Sequence, residues 1–309
     1  MESGYITKNE FPPPLLEWPG GPECLWFHGN PSLLYGKLLV SVIGTRNPSP
    51  EGVQRTRKLV QTLVRRGVTV VSGMAKGVDF VAHSTTLELG GSTIAVMGTP
   101  IEGCYPKENH ELKRLITTSG LVISQFEPGS KYQRYNFPRR NETMAAMSAI
   151  TIVTEASATS GTRHQVAASI KLGRRVGFLA SLVAQQIPWI DDALMSDFCF
   201  IVDSSSQIRG VIDLYLGNLP REIVNPLDSN LDSEVVAERV NLEQAQLFDY
   251  SANETSADGP NASDLPPTEP PELKTEVSDP PEGIIFFLRR LFGRILGDSQ
   301  PKGREGNRR

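Results

Sequence analysis

Long apolar runs are missing from this 309-residue chain, and nothing in it approaches the roughly 20 residues that a membrane-spanning helix needs. The opening MESGYITKNE lacks the basic-then-apolar order of a secretory leader, so a cytoplasmic protein is expected. Cysteine is scarce: Cys24, Cys104 and Cys199 are odd in number and far apart. The histidines, His28, His83, His110 and His164, are equally scattered. Neither set has the spacing of a disulfide framework or a zinc site, so reduced thiols and no metal are expected. The GxGxxG and GxxxxGKS/T fingerprints are absent too, which argues against an ordinary dinucleotide site or a P-loop. No cofactor is expected.

What is present is a charge pattern that the net value of -4 conceals. Residues 1–224 carry 22 Lys/Arg and 19 Asp/Glu, residues 225–282 carry 2 and 14, and residues 283–309 carry 7 and 2. The chain therefore reads as a slightly basic body (+3), an acidic strap (-12) and a basic tip (+5). The strap is rich in Pro and poor in large apolar residues, so it is expected to be disordered, with a short helix around 233–248. In the tip, IIFFLRRLFGRIL (284–296) sets Ile284, Phe287, Leu288, Leu291, Phe292 and Ile295 on one helical face. Such a segment can dock on a partner, its own body or a membrane surface.

Between 38 and 224, β-rich apolar runs alternate with helical patterns, which predicts an α/β protein with an extended Rossmann-like, doubly wound and mostly parallel sheet. About seven strands are expected, at 37–44, 68–73, 92–98, 121–126, 149–156, 175–180 and 198–203. Residues 1–37 hold FPPPLLEWPGGPECLWFHG, too rich in Pro and Gly for regular structure. Trp18, Leu25, Trp26 and Phe27 are expected to anchor this extension on the sheet edge.

Ligands of parallel sheets bind beyond the carboxyl ends of the strands. Four loops at those ends combine Gly with Ser or Thr: GTRNPSPEG, SGMAKGVD, GTPIEGCYPKEN and EASATSGTRHQ. Glycine permits close backbone approach, and helix starts with a nearby cation favour phosphate. Gly44, Gly98, Thr99, Ser160, Gly161 and Thr162 are the candidate phosphate-loop residues. In NFPRRNETMAAMS, a helix from about Arg139 would present Arg139 and Arg140 to phosphates at its opening, with Asn136 or its neighbours as cap. Phe137 could stack on a base.

Taken together, VIGTRNPSPEG (42–52), VVSGMAKGVDFVAH (70–83), GGSTIAVMGTPIEGCYPKEN (90–109), NFPRRNETMAAMS (136–148) and TEASATSGT (154–162) resemble the DprA/Smf family of DNA-processing proteins. The resemblance implies a Rossmann-like core that binds single-stranded DNA, self-associates as a homodimer and loads a RecA-type recombinase during DNA uptake. It points to Thr45, Arg46, Ser72, Gly73, Lys76, Phe137, Arg139, Arg140 and Asn141 as the nucleic-acid contacts, and implies no catalytic residue. Departures are visible: GRRVGFLASLVAQQIPWIDDAL runs on without the family's Pro-Gly turn, and the acidic strap stands where a winged-helix domain is often found.

Two rival readings use the same loops. One is a nucleotide phosphoribohydrolase, whose PGGxGTxxE motif would need a Glu where Gln165 stands; an amide is no general acid or base. The other is a module that senses a free nucleotide. Asp79 reads as a helix cap, His83 as a packed histidine, and Glu155 as a carboxylate at a strand end beside the pocket, the one to mutate as a control.

Overall fold

The computed structural model describes residues 2–217 apart from 37 and 132. The acidic strap, the basic tip and the end of the 38–224 body lie outside the described residues. The strands are β1 (Ser3–Thr7), β2 (Cys24–Gly29), β3 (Leu39–Ile43), β4 (Thr69–Ser72), β5 (Thr93–Met97), β6 (Leu121–Ser124), β7 (Ile150–Val153), β8 (Arg175–Leu179) and β9 (Cys199–Val202). The α-helices are α1 (Pro13–Leu16), α2 (Pro50–Arg65), α3 (Val78–Glu88), α4 (His110–Ser119), α5 (Asn136–Met147), α6 (Thr162–Lys171), α7 (Ala180–Val183), α8 (Pro188–Ala193) and α9 (Ser205–Tyr215).

One nine-stranded sheet runs in the order β1-β2-β6-β5-β4-β3-β7-β8-β9. Strands β3 to β9 pair in parallel, while β1 and β2 form an antiparallel border on β6. Continuous runs such as LVSVI in β3 are buried at every position because helices cover both faces. One apolar cluster holds Ile43, Met144, Met147, Val166 and Phe178, and the other holds Val40, Leu59, Leu63, Val78 and Ile212.

The N-terminal extension departs from the sequence expectation, because it contains two strands. CLWFHG alternates half-buried and buried positions, and SGYIT pairs with it from Ser3↔His28 to Thr7↔Cys24. Pro and Gly are concentrated between the two strands, in 11–22, and the edge that orders them, β6, lies about a hundred residues away in sequence. Trp18, Leu25 and Phe27 are buried with Phe11, Leu15 and Leu34.

The chain steps from β3 through β4 and β5 to β6 on one side, then returns to β7 on the other side of β3. The switch point therefore lies between β3 and β7. The four glycine loops follow β5, β4, β3 and β7, which are consecutive in the sheet, and so they open along one rim.

Candidate nucleic-acid interface

The centre of the rim is the Gly73–Gly77 turn after β4. Met74 sits at φ 65 in the left-handed region although it is fully buried, a conformation that costs about 1–3 kcal/mol and must be held by its surroundings. Asp79 holds it from α3, accepting hydrogen bonds from Gly73 N and Ala75 N, both at 3.2 Å. Asn109 holds it from α4's approach, donating through Nδ2 to Met74 O at 2.8 Å and Ala75 O at 3.1 Å. Asp79 thus caps the turn before α3 rather than the helix, whose N-cap is Gly77.

Arg140 closes the turn from the other side. Its guanidinium donates to Gly73 O, to Val96 O at 2.9 Å and to Asn141 Oδ1 at 2.9 Å. Burial pulls its pKa down to about 10, opposed by the Asp79 carboxylate. Burial likewise raises Asp79, opposed first by Arg140. A Cβ on Gly73 would overlap this guanidinium, so glycine is what lets Arg140 reach the carbonyl.

Helix α5 begins at Asn136, three residues earlier than expected, with Pro138 tolerated in its first turn. Its N-cap is Tyr135, without a side-chain cap bond, and Asn136 is buried. This shift separates the adjacent arginines. Arg140 turns inward with 6% of its surface exposed, whereas Arg139 is exposed to solvent. The side-by-side phosphate grip expected from the sequence is therefore divided into an internal brace and an external cation.

A recess of about 40 Å³ opens beside the brace, lined by Arg46, Gly73, Ala75, Lys76, Tyr105, Pro106, Phe137 and Arg140. Tyr105 and Phe137 meet edge to face, with centroids 5.6 Å apart and planes at 64°, an arrangement aromatic pairs favour. Phe137 rests on Gly98, where a Cβ would stand 2.6 Å from its ring. Lys76 pairs with Glu108 at 3.0 Å, both exposed. Beneath the rim, Lys113 donates through Nζ to Ile101 O and Gly103 O at 2.5 and 2.8 Å, fixing the loop after β5.

The structure thus brings Arg46, Gly73, Lys76, Phe137 and Arg140 to one recess. The other proposed contacts lie around it. Ser72 Oγ donates inward to Val42 O at 2.7 Å, Thr45 O accepts Val78 N at 3.1 Å, and Asn141 is spent on Arg140. Gly44 lies 2.6 Å, by its would-be Cβ, from Glu155 O. Thr99 is buried, and its carbonyl accepts from Ser124 Oγ at 2.7 Å. Ser160 and Thr162 are buried beside Gly161 and share a 2.7 Å hydroxyl contact in the β7–α6 loop, apart from the recess lining. Glu155 accepts from Ser49 N and Ser49 Oγ, both at 2.9 Å, and lies 3.6 Å from Arg55, so it ties the start of α2 to β7. Gln165 is 1% exposed. His83, also buried, bonds Thr93 through Nδ1 at 2.7 Å, and burial lowers its pKa to about 3. Among the described residues no group of three or more His, Cys, Asp or Glu could hold a metal ion, and no helix is long and apolar enough to cross a membrane.

Sequence reasoning missed Tyr105, Asn109 and Lys113. Tyr105 and Asn109 stood in the quoted GCYPKEN loop, but an aromatic in a loop becomes a site residue only when a partner ring faces it.

The family model for DNA recombination-mediator protein A matches residues 4–192. The chain belongs to that family. Protein Smf of Synechocystis sp. is 41% identical over 162 residues, covering 51% of this chain and 41% of its own length. DNA processing protein DprA of Streptococcus pneumoniae is 37% identical over 171 residues, covering 55% of this chain and 60% of its own length. The match thus spans about half the length of these relatives. Two solved DprA structures share the fold with a TM-score of 0.61 over 67% of this chain. The Streptococcus pneumoniae protein is 30% identical and covered to 73%; the Helicobacter pylori protein, described by its single-stranded DNA binding mode, is 25% identical and covered to 95%. The recess of this DprA-family chain, lined from Arg46 to Arg140, lies within the residues 4–192 that the family model matches.

Proposed function

We propose that this rim binds single-stranded DNA without catalysis, and that the chain acts as a recombination mediator, passing the strand to a RecA-type recombinase as a homodimer. Arg46, Lys76 and Arg139 take phosphates, and a base edge enters the recess against the Tyr105–Phe137 pair. The observation that carries this reading is the combination of an edge-to-face aromatic pair with exposed cations around a recess of about 40 Å³. Sites for free small molecules run to roughly 300–1,000 Å³, so the recess suits part of a strand lying across a surface better than an enclosed nucleotide. The buried amide of Gln165 offers no base for glycosidic cleavage, which further disfavours the hydrolase reading.

The test is fluorescence anisotropy of labelled single-stranded and duplex DNA at two salt concentrations. Wild type should prefer the single strand, and each of Arg46→Ala and Lys76→Ala should lower the salt slope by about 0.7. A folded wild type that ignores single strands would overturn the proposal. Displacement of DNA by free nucleotides at equal base concentration would move the assignment to a nucleotide sensor.

A further inference from the structure

The segment SKYQRYNF (130–137) interleaves bases and aromatics immediately ahead of the recess. Tyr135, which lies outside the recess lining, has 59% of its surface exposed, the second most exposed Tyr among the large apolar side chains on the surface. A side chain of that size normally buries a large part of its ring.

Its position on α5 is informative. Tyr135 already has helical dihedrals (φ -66, ψ -14), and its carbonyl accepts Arg139 N at 3.3 Å. Residues four apart on a helix are surface neighbours, so Tyr135 and Arg139 share one face, and both are exposed. Phe137 and Arg140, three apart, share the face that lines the recess. The two faces are about half a turn apart. Helix α5 therefore carries an aromatic with an arginine twice: once inward, where the arginine is spent on Gly73 O and Val96 O, and once outward. Lys131 and Arg134 add exposed positive charge just before the outward pair. The nearest acid on α5, Glu142, is electrostatically coupled to His164 on α6.

We infer that Tyr135 is a second stacking platform, on which a base flanking the one in the recess lies while Arg139 takes its phosphate, so that the bound strand wraps the N-terminal end of α5. This rests on the single-strand reading above and deepens it. The two platforms are separated by one helix thickness, on the order of 10 Å, which a strand several nucleotides long bridges. Stacking on a protein aromatic tolerates any base, so the platform lengthens the site without adding sequence preference.

The experiment compares wild type, Tyr135→Ala, Tyr135→Phe and Arg139→Ala for binding of a short and a long oligothymidylate by anisotropy, with circular dichroism to verify folding. Tyr135→Ala should weaken the long strand about five- to tenfold, the low end of what losing one stacked base costs. It should leave the salt slope and the shortest strand unchanged. Tyr135→Phe should bind like wild type, and Arg139→Ala should reduce the salt slope by about 0.7. If wild type binds the long strand and Tyr135→Ala matches it, the platform is refuted while the recess assignment stands. Equal losses in Tyr135→Ala and Tyr135→Phe would assign the contact to the hydroxyl and also refute stacking. Failure of wild type to bind any single strand would instead refute the parent reading.

Discussion

Replacing Arg140 with Met separates a brace from a ligand. If Arg140 were mainly a phosphate contact, its loss would weaken DNA binding and leave the fold untouched. The structure assigns it a different role: it is 6% exposed, satisfies Gly73 O and Val96 O, and offsets the charge of Asp79, itself 7% exposed. Its removal leaves the buried carbonyls of Gly73 and Val96 without their charged donor, at about 1–3 kcal/mol each, and leaves the buried charge of Asp79 less compensated, on the order of 3–5 kcal/mol together. For a body of this size that is a fall in Tm of roughly 6–20 °C. Asp79 would recover part of the loss by taking up a proton, so the variant should be more stable at low pH relative to wild type than at neutral pH. Asp79→Asn should be milder, since an amide oxygen can still accept from Gly73 N and Ala75 N, and the Arg140→Met/Asp79→Asn double variant should lose less than the sum of the singles. Thermal and urea unfolding followed by circular dichroism give these numbers. An Arg140→Met protein within about 1 kcal/mol of wild type, with additive singles, would refute the brace.

Glu155→Gln should destabilise by about 1–2 kcal/mol, as the charged partner of Ser49 N, Ser49 Oγ and Arg55 is lost; urea midpoints measure it. Gly98→Ala should displace the Phe137 ring, now 2.6 Å from the added carbon, and lower single-strand affinity without changing the salt slope. The pKa of His83 is depressed by burial from 6.5 to about 3. Its contribution to stability is therefore complete above pH 6.5 and is lost as pH falls toward 3, by up to about 1.4 kcal/mol per pH unit. His83→Gln should flatten the pH dependence of the urea midpoint across that window. A Gly77→Ala variant should lose more than about 1 kcal/mol, because Gly77 has φ 73 and its new carbon would strike the carbonyl of Thr45; thermal melting tests it.

Period and punctuation made most of the α/β body readable. Apolar runs of four to five residues gave the seven parallel strands, three of them, β3, β4 and β5, ended by glycine, because strands buried on both faces are apolar nearly throughout. The glycine loops were also legible as a group, since short turns that need close backbone approach leave no other residue a place. The border strands β1 and β2 were not legible, because their order depends on the exposed edge of β6, which no local pattern encodes.

The adjacent arginines mark the same boundary at the site. Composition and spacing establish that two cations stand at a helix opening near phosphate-like loops. Which of them meets solvent depends on where α5 begins and on what lies beneath it: a start at Asn136 instead of Arg139 turns Arg140 toward carbonyls of the turn after β4 and of β5 and leaves Arg139 outside. Local sequence sets the periodicity of a helix, whereas its phase against the sheet is set by long-range packing. The residues that hold Met74, Asp79 and Asn109, come from different elements and meet only in the folded chain. The chemistry available at this site is thus written in its residue types, and their division into frame and contact surface arises from tertiary packing.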